Sequence, residues 1–161
     1  MSKSLKRVKL ALANAGIHVD ILEMPGATRT AADAARQAEC QIDQIAKSII
    51  FRGQETERLL LFITAGGRCV DAEKATILAG EVPGRADAAY VRSMTGFAIG
   101  GVAPIAHLTT PIAFWDLRLS EFDIIFAAAG TPHHIIAVEP ATPQYISKAQ
   151  PTDFTSDSCS M

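Results

Sequence analysis

The chain is 161 residues long, enough for one domain with a real core, and with 48% hydrophobic residues it is too apolar for a disordered protein. Its 15 Lys and Arg against 17 Asp and Glu leave a net charge of −2. That balance excludes the broad basic field of a DNA-coating protein, yet leaves room for a local basic patch that meets one end of an RNA.

Lys3, Lys6, Arg7 and Lys9 form the one marked basic cluster and read first as a solvated helix face. They lie in or beside a helix over Ser4 to Ala15, in which Leu5, Val8, Leu12 and Ala15 recur at helical steps before Gly16. Ile17 to Met24 reads as a strand ended by Pro25-Gly26. Thr30 is a good N-cap for a helix over Ala31 to Cys40, with Asp33 suited to its positive end. Gln44 to Phe51 reads as a strand ending at Gly53. Alternation puts Ile45, Lys47, Ile49 and Phe51 on one face and Ala46, Ser48, Ile50 and Arg52 on the other, so one lysine sits in the bulkier apolar row. Arg58 to Thr64 is a second apolar run across a short polar loop, which predicts an antiparallel hairpin.

A short strand at Cys69-Val70 follows, then a helix from Ala72 to Ala79 capped by Asp71 and ended by Gly80. Ala86 to Met94 predicts a short helix with Ala89, Val91 and Met94 inward, leading into the glycine-rich stretch Thr95 to Pro104. Pro111 to Trp115 and Phe122 to Ala129 read as strands separated by a turn, and Gly130-Thr131-Pro132 as a tight turn before a strand over His134 to Val138. Thr142 caps a last helix over Pro143 to Lys148. Residues 149–161 are rich in Ser, Thr and Asp and read as a flexible tail behind a single domain over 1–148. Helices and strands mix without regular βαβ alternation, so the expected class is α/β: a mixed, largely antiparallel sheet surrounded by helices.

Cys40, Cys69 and Cys159 are far apart and odd in number, without metal spacing, which argues against a disulfide framework and against zinc. No apolar run approaches the roughly 20 residues that span a bilayer, and no signal peptide precedes the first helix. The expectation is a cytoplasmic protein with no membrane, DNA, metal or cofactor partner.

Three features carry candidate chemistry. Lys47 is either a strand-edge lysine reaching solvent or a cation at the floor of a pocket, able to polarise a carbonyl or hold an anion. Gly96-Phe97-Ala98-Ile99-Gly100-Gly101-Val102-Ala103-Pro104 matches neither a Walker loop nor a dinucleotide fingerprint. Its glycines permit close approach of a ligand to main-chain N–H groups, and it reads equally as a plain turn. In Gly130-Thr131-Pro132-His133-His134 the adjacent histidines face opposite ways, so at most one joins a site. His107 lies three residues past Pro104. No nucleophile-base spacing stands out, and Cys40 reads as packing.

Together, the Lys47 strand, Asp71 opening a helix with Lys74, the loop Thr95 to Pro104 and the turn Ala129 to Pro132 resemble the YbaK/EbsC family. These are free-standing aminoacyl-tRNA editing proteins related to the insertion domain of bacterial prolyl-tRNA synthetase. The resemblance spans about Ser4 to Lys148 and implies a partly barrel-like sheet. It also implies hydrolysis of the ester joining a wrong amino acid to tRNA, with tRNA for proline carrying Ala, Ser, Thr or Cys as the first guess. It implies Lys47, Gly100 and Gly101 as catalytic, with loop N–H groups from Gly100 to Ala103 as oxyanion donors. Ser48, Thr30, Val102, Ala103, Pro104, Gly130, Thr131 and His133 are the implied substrate-binding set. The implied partner is aminoacyl-tRNA, with a synthetase or an elongation factor as a further one. The alternatives are a non-catalytic module that binds an aminoacyl end or a synthetase, and an amino-acid esterase indifferent to RNA. The geometric expectation is that the Lys47 ammonium faces a cavity that Gly101 and Gly130 help to line.

Overall fold

A computed structural model of the chain describes residues 2–156. The first helix, α1 (Lys3–Asn14), is capped by the Ser2 hydroxyl and buries Leu5, Val8 and Leu12. Strand β1 (Ile21–Glu23) is shorter than its apolar run. Thr30 caps α2 (Ala31–Ala38) by accepting from the Asp33 N–H. A 3-10 turn at Ile42–Gln44 leads into β2 (Ile45–Gly53), which forms the expected hairpin with β3 (Leu59–Ala65), from Ala46↔Ala65 to Arg52↔Leu59. Then come β4 (Cys69–Val70), α3 (Ala72–Ala79), β5 (Pro83–Arg85) and α4 (Ala88–Thr95). The last part holds β6 (Ile112–Asp116), β7 (Ile125–Thr131), β8 (His134–Val138), α5 (Ala141–Ser147), β9 (Gln150–Thr152) and β10 (Thr155–Ser156).

The main sheet runs β1-β8-β7-β2-β3-β6-β9, with β5 also paired to β2. The contacts β2–β7, β3–β6 and β6–β9 are parallel and the other pairings antiparallel, so the sheet is mixed and stays open. Strand β3 lies inside it, between β2 and β6, and is buried along its whole length. That explains why its sequence is a continuous apolar run rather than an alternation. Leu61 and Ile63 join α1, Trp115, Ile125 and Ile136 on one face. Leu60 and Phe62 turn the other way, where Phe62 stacks on Phe114 at 4.9 Å and meets Phe154 edge-on at 5.0 Å.

Several expectations change. The chain from 149 is not a free tail as far as Ser156: β9 pairs with β6, β10 pairs with β4, and Phe154 is fully buried. Polar composition gave no sign of this, because short edge strands need few apolar residues of their own. Residues 157–161, and Cys159 with them, lie outside the described residues. Cys69 is disulfide-bonded, against the expectation of no disulfide, since sequence separation does not restrict which thiols meet; Cys40 is free. Ala89 faces solvent rather than the core. The last helix begins after Pro140, not Thr142, without a side-chain cap. Strand β5, with a proline and a glycine in three residues, was not expected. Its place is fixed by Glu81, whose buried carboxylate accepts from the Glu55 and Thr56 N–H groups, the Thr56 hydroxyl and the Arg58 guanidinium. These bonds, led by the Thr56 hydroxyl, pull the Glu81 carboxyl down to about 2. They staple the β2–β3 hairpin to the chain entering β5. No helix among the described residues is long and apolar enough to cross a membrane.

Candidate functional site

Strand β2 is fully paired with β3 on one edge. On its other edge it meets β7 only at Ile45 and Ala46 and β5 only from Phe51 to Gly53. Between those contacts the sheet is split, and a cavity of about 600 Å³ lies beside the gap, within the usual size range of small-ligand sites. Lys47, Ser48 and Ile50 of β2 line it, together with Ala127 and Ala128 of β7. Its mouth carries Arg29, Thr30 and the start of α2, and Gly100 and Val102 of the glycine-rich loop close another side. Its lining is mostly apolar, with hydroxyls from Thr28, Thr30 and Ser48, two cations, and no Asp, Glu, Cys or His among the described lining residues. Among the described residues no cluster of three His, Cys, Asp or Glu could hold a metal ion.

Lys47 is half-buried, and its ammonium donates to the Arg68 carbonyl at 2.6 Å in the turn after β3. Burial lowers its pKa from the ordinary lysine value, while the charges of Asp116 and Asp43 act the other way. Those carboxylates also build the turn. Asp43 accepts from the Gly67 N–H at 2.8 Å and from Arg118 Nε at 3.0 Å. Asp116, buried, accepts from the Ala65 N–H at 3.0 Å and the Arg118 N–H at 2.9 Å, with Arg68 Nη1 at 3.6 Å. None of these four residues was singled out from the sequence, where 75 positions separate Asp43 from Arg118. The one local trace is Asp116 at the end of an apolar run, in position to cap the next turn.

The expected site residues divide into two layers. Lys47, Ser48, Thr30, Gly100 and Val102 line the cavity. Gly101, Ala103, Pro104, Gly130, Thr131 and His133 do not; they form the support behind it. Ala103 and Pro104 are buried. The Gly101 N–H is committed to the Ala98 carbonyl at 3.0 Å. A Cβ at Gly101 would sit 2.8 Å from the Thr131 Cα, so the loop and the Gly-Thr-Pro turn touch backbone to backbone there. Gly130 packs against the Ser4 carbonyl and the Phe97 ring. His133 is exposed, but its carbonyl accepts from the Met24 N–H at 2.7 Å. The Pro132 carbonyl accepts from both the N–H and the hydroxyl of Thr28, at 2.6 and 2.8 Å. The turn thus acts on the cavity through the segment that carries Thr28 and Thr30.

The glycine-rich loop is held from beneath. Arg7 Nε donates to the Ala106 carbonyl at 3.2 Å and Nη2 to the Thr95 carbonyl at 3.0 Å, with the guanidinium 4.7 Å from the centre of the Phe97 ring. This residue belongs to the cluster expected to be solvated, yet it faces inward. His107 Nε2 lies 2.7 Å from the Ala103 carbonyl. Burial, partly offset by that bond, drops its pKa to about 4, so the ring is neutral near pH 7.

The chain is similar to known proteins over most of its length. A family model described as the aminoacyl-tRNA editing domain matches residues 26–144. YwhH, an uncharacterised protein of Bacillus subtilis strain 168, is 29% identical over 137 residues, covering 85% of this chain and 87% of that protein. A crystal structure of a candidate trans-editing enzyme for prolyl tRNA synthetase is 36% identical with a TM-score of 0.89, over 97% of this chain and 99% of that one. A scaffold protein from computational epitope backbone grafting is 34% identical, with the same TM-score and coverage. The chain belongs to the aminoacyl-tRNA editing domain family.

Proposed function

We propose that this protein is a trans-editing hydrolase that cleaves the ester of a mischarged aminoacyl-tRNA, with tRNA for proline carrying Ala, Ser, Thr or Cys as the first substrate to try. The observation that carries the reading is the mostly apolar cavity with the Lys47 side chain in its wall. A small amino acid fits its alanine-rich walls, and Arg29 at the mouth and Lys47 inside suit the phosphate and ribose of an RNA end. The similar crystal structure, described as a candidate trans-editing enzyme for prolyl tRNA synthetase, supports the choice of tRNA.

An aminoacyl ester is already activated, so positioning a water and stabilising the developing oxyanion suffice. Water adds to the ester carbonyl, the bond to the ribose oxygen breaks, and the proton from water ends on that oxygen, releasing free amino acid and tRNA. One of the three Lys47 N–H groups donates a hydrogen bond to the Arg68 carbonyl, which leaves two for the ester or the ribose. The N–H groups of Gly100 and Val102 make no hydrogen bond among the described residues, whereas that of Gly101 is occupied. The oxyanion role therefore falls to Gly100 and Val102, with Gly101 holding the loop against Thr131. With no carboxylate, imidazole or thiol in the described lining, the neighbouring ribose hydroxyl of the tRNA orients the water and relays its proton to the leaving oxygen.

The test is a deacylation assay over tRNAs mischarged with Ala, Ser, Thr and Cys, with wild type and Lys47→Ala. Release above the spontaneous rate by wild type, reduced about a hundredfold or more in Lys47→Ala, is the expected result. Binding without release would make the protein a recognition module. Equal turnover of simple amino-acid esters would make it an esterase indifferent to RNA.

A further inference from the structure

A strand residue turns its N–H and its C=O to the same side, and successive residues alternate. The Gly53 N–H donates to Arg58 on the β3 side, and the Gln54 N–H to Val82 on the β5 side. Counting back through the unbroken β2–β3 register, Ile49 and Lys47 turn their main-chain groups toward β3, while Arg52, Ile50, Ser48 and Ala46 turn theirs to the other edge. The Ala65 N–H, opposite Ala46 and bonded to Asp116 of β6, fits the same alternation. On that other edge Ala46 is covered by β7 and Arg52 by β5, but Ser48 and Ile50 meet neither strand. No hydrogen bond from their N–H groups, and none to the Ser48 carbonyl, exists among the described residues. The Ser48 hydroxyl oxygen is buried and has no partner. Unpaired polar groups of this kind in a covered site are costly unless a ligand completes them.

The charge of the cavity dictates how an aminoacyl group would be held there. Arg29 and Lys47 line it and no described lining residue is a carboxylate. A protonated amine entering meets no counter-ion, so neutral oxygen acceptors must hold it. We propose that the open edge of β2 recognises the α-ammonium of the aminoacyl group, through the hydroxyl and the main-chain carbonyl of Ser48. This rests on reading the cavity as an aminoacyl-ester site. The acyl group lies along β2 as a short extra strand, its amine on the Ser48 carbonyl and hydroxyl and its ester toward Lys47.

The experiment compares alanyl-tRNA with propionyl-tRNA and lactyl-tRNA, in which hydrogen or hydroxyl replaces the amine. Each kcat/KM is divided by the spontaneous hydrolysis rate of the same ester, to remove differences in intrinsic reactivity. The expected result is a normalised preference for alanyl over propionyl of about tenfold or more, with lactyl between them, and a preference several-fold smaller in Ser48→Ala. Equal normalised rates in the wild type overturn the proposal and leave the deacylase reading standing; this comparison needs no variant to fold. A preference unchanged in Ser48→Ala overturns the assignment of the hydroxyl. Failure to hydrolyse any aminoacyl-tRNA of the panel overturns the deacylase reading and this inference together.

Discussion

Lys47 is anchored on a carbonyl rather than on a carboxylate, and that choice matters. A direct ion pair would neutralise the ammonium, whereas the Arg68 carbonyl orients it and leaves its charge unspent. Asp116 and Asp43 hold the turn in place and supply a more distant field that opposes the lowering of the lysine pKa by burial. Asp116→Asn removes part of that field. If the protonated lysine is needed for turnover, the alkaline limb of the pH profile of kcat/KM moves to lower pH in this variant. A limb that stays in place would assign it to another group. The lysine itself is legible in the sequence, because a cation in a bulky apolar row asks for an explanation. Its acceptor is not legible, because a main-chain carbonyl carries no residue signature. The same limit explains why Gly101 reads like Gly100: the pattern shows two glycines, and only the fold shows which N–H is already taken.

The glycine-rich loop owes its shape to α1. Arg7 reaches carbonyls at both ends of the loop and covers Phe97, a fork that a lysine cannot reproduce. Arg7→Ala should lower stability by about 1–3 kcal/mol in denaturant unfolding and raise KM through a loosened loop; Arg7→Lys should restore little of either. His107 adds a pH dependence. Its folded pKa of about 4 lies below the ordinary 6.5, so its contribution is complete above pH 6.5 and is lost as pH falls toward 4. The two values correspond to about 3 kcal/mol. Unfolding measured between pH 7 and 4 should show this loss in the wild type, and His107→Gln should flatten it. An equal slope in the variant would place the loss elsewhere. Helix starts, the β2–β3 hairpin and the β7–β8 turn follow from caps, alternation and turn chemistry, and appear close to where the sequence puts them. The inward turn of Arg7 does not, because a helical stripe with three lysines gives no local sign that its arginine has a partner 88 and 99 residues away.

At the scale of the whole molecule, the cavity exists because β2 has two different partners on one edge. Strand β7 arrives at its start and β5 at its end, and neither covers Ser48 or Ile50. Such a gap depends on contacts from distant parts of the chain, so periodicity cannot reveal it, even though each wall of the cavity is a recognisable local motif. The C-terminal strands show the same principle in the aromatic cluster under β2 and β3. Phe154 closes the aromatic cluster around Phe62 and Phe114, and Lys74 of α3 reaches Asp153 at 3.1 Å and the Thr155 carbonyl at 3.0 Å. Phe154→Ala should cost about 3–5 kcal/mol, roughly a 10 °C drop in thermal midpoint for a chain of this size. Deacylation by the molecules still folded at low temperature should be little changed, because Phe154 is not among the residues lining the cavity. Truncation after Ala149 should lower the midpoint further, since it also removes the pairings of β9 with β6 and β10 with β4. A truncated chain with an unchanged midpoint would mean that these strands rest on the fold without stabilising it. Loss of activity in folded Phe154→Ala would instead show that the aromatic cluster reaches the cavity through Ile49, which packs on the one and lines the other, and so sets the width of the gap.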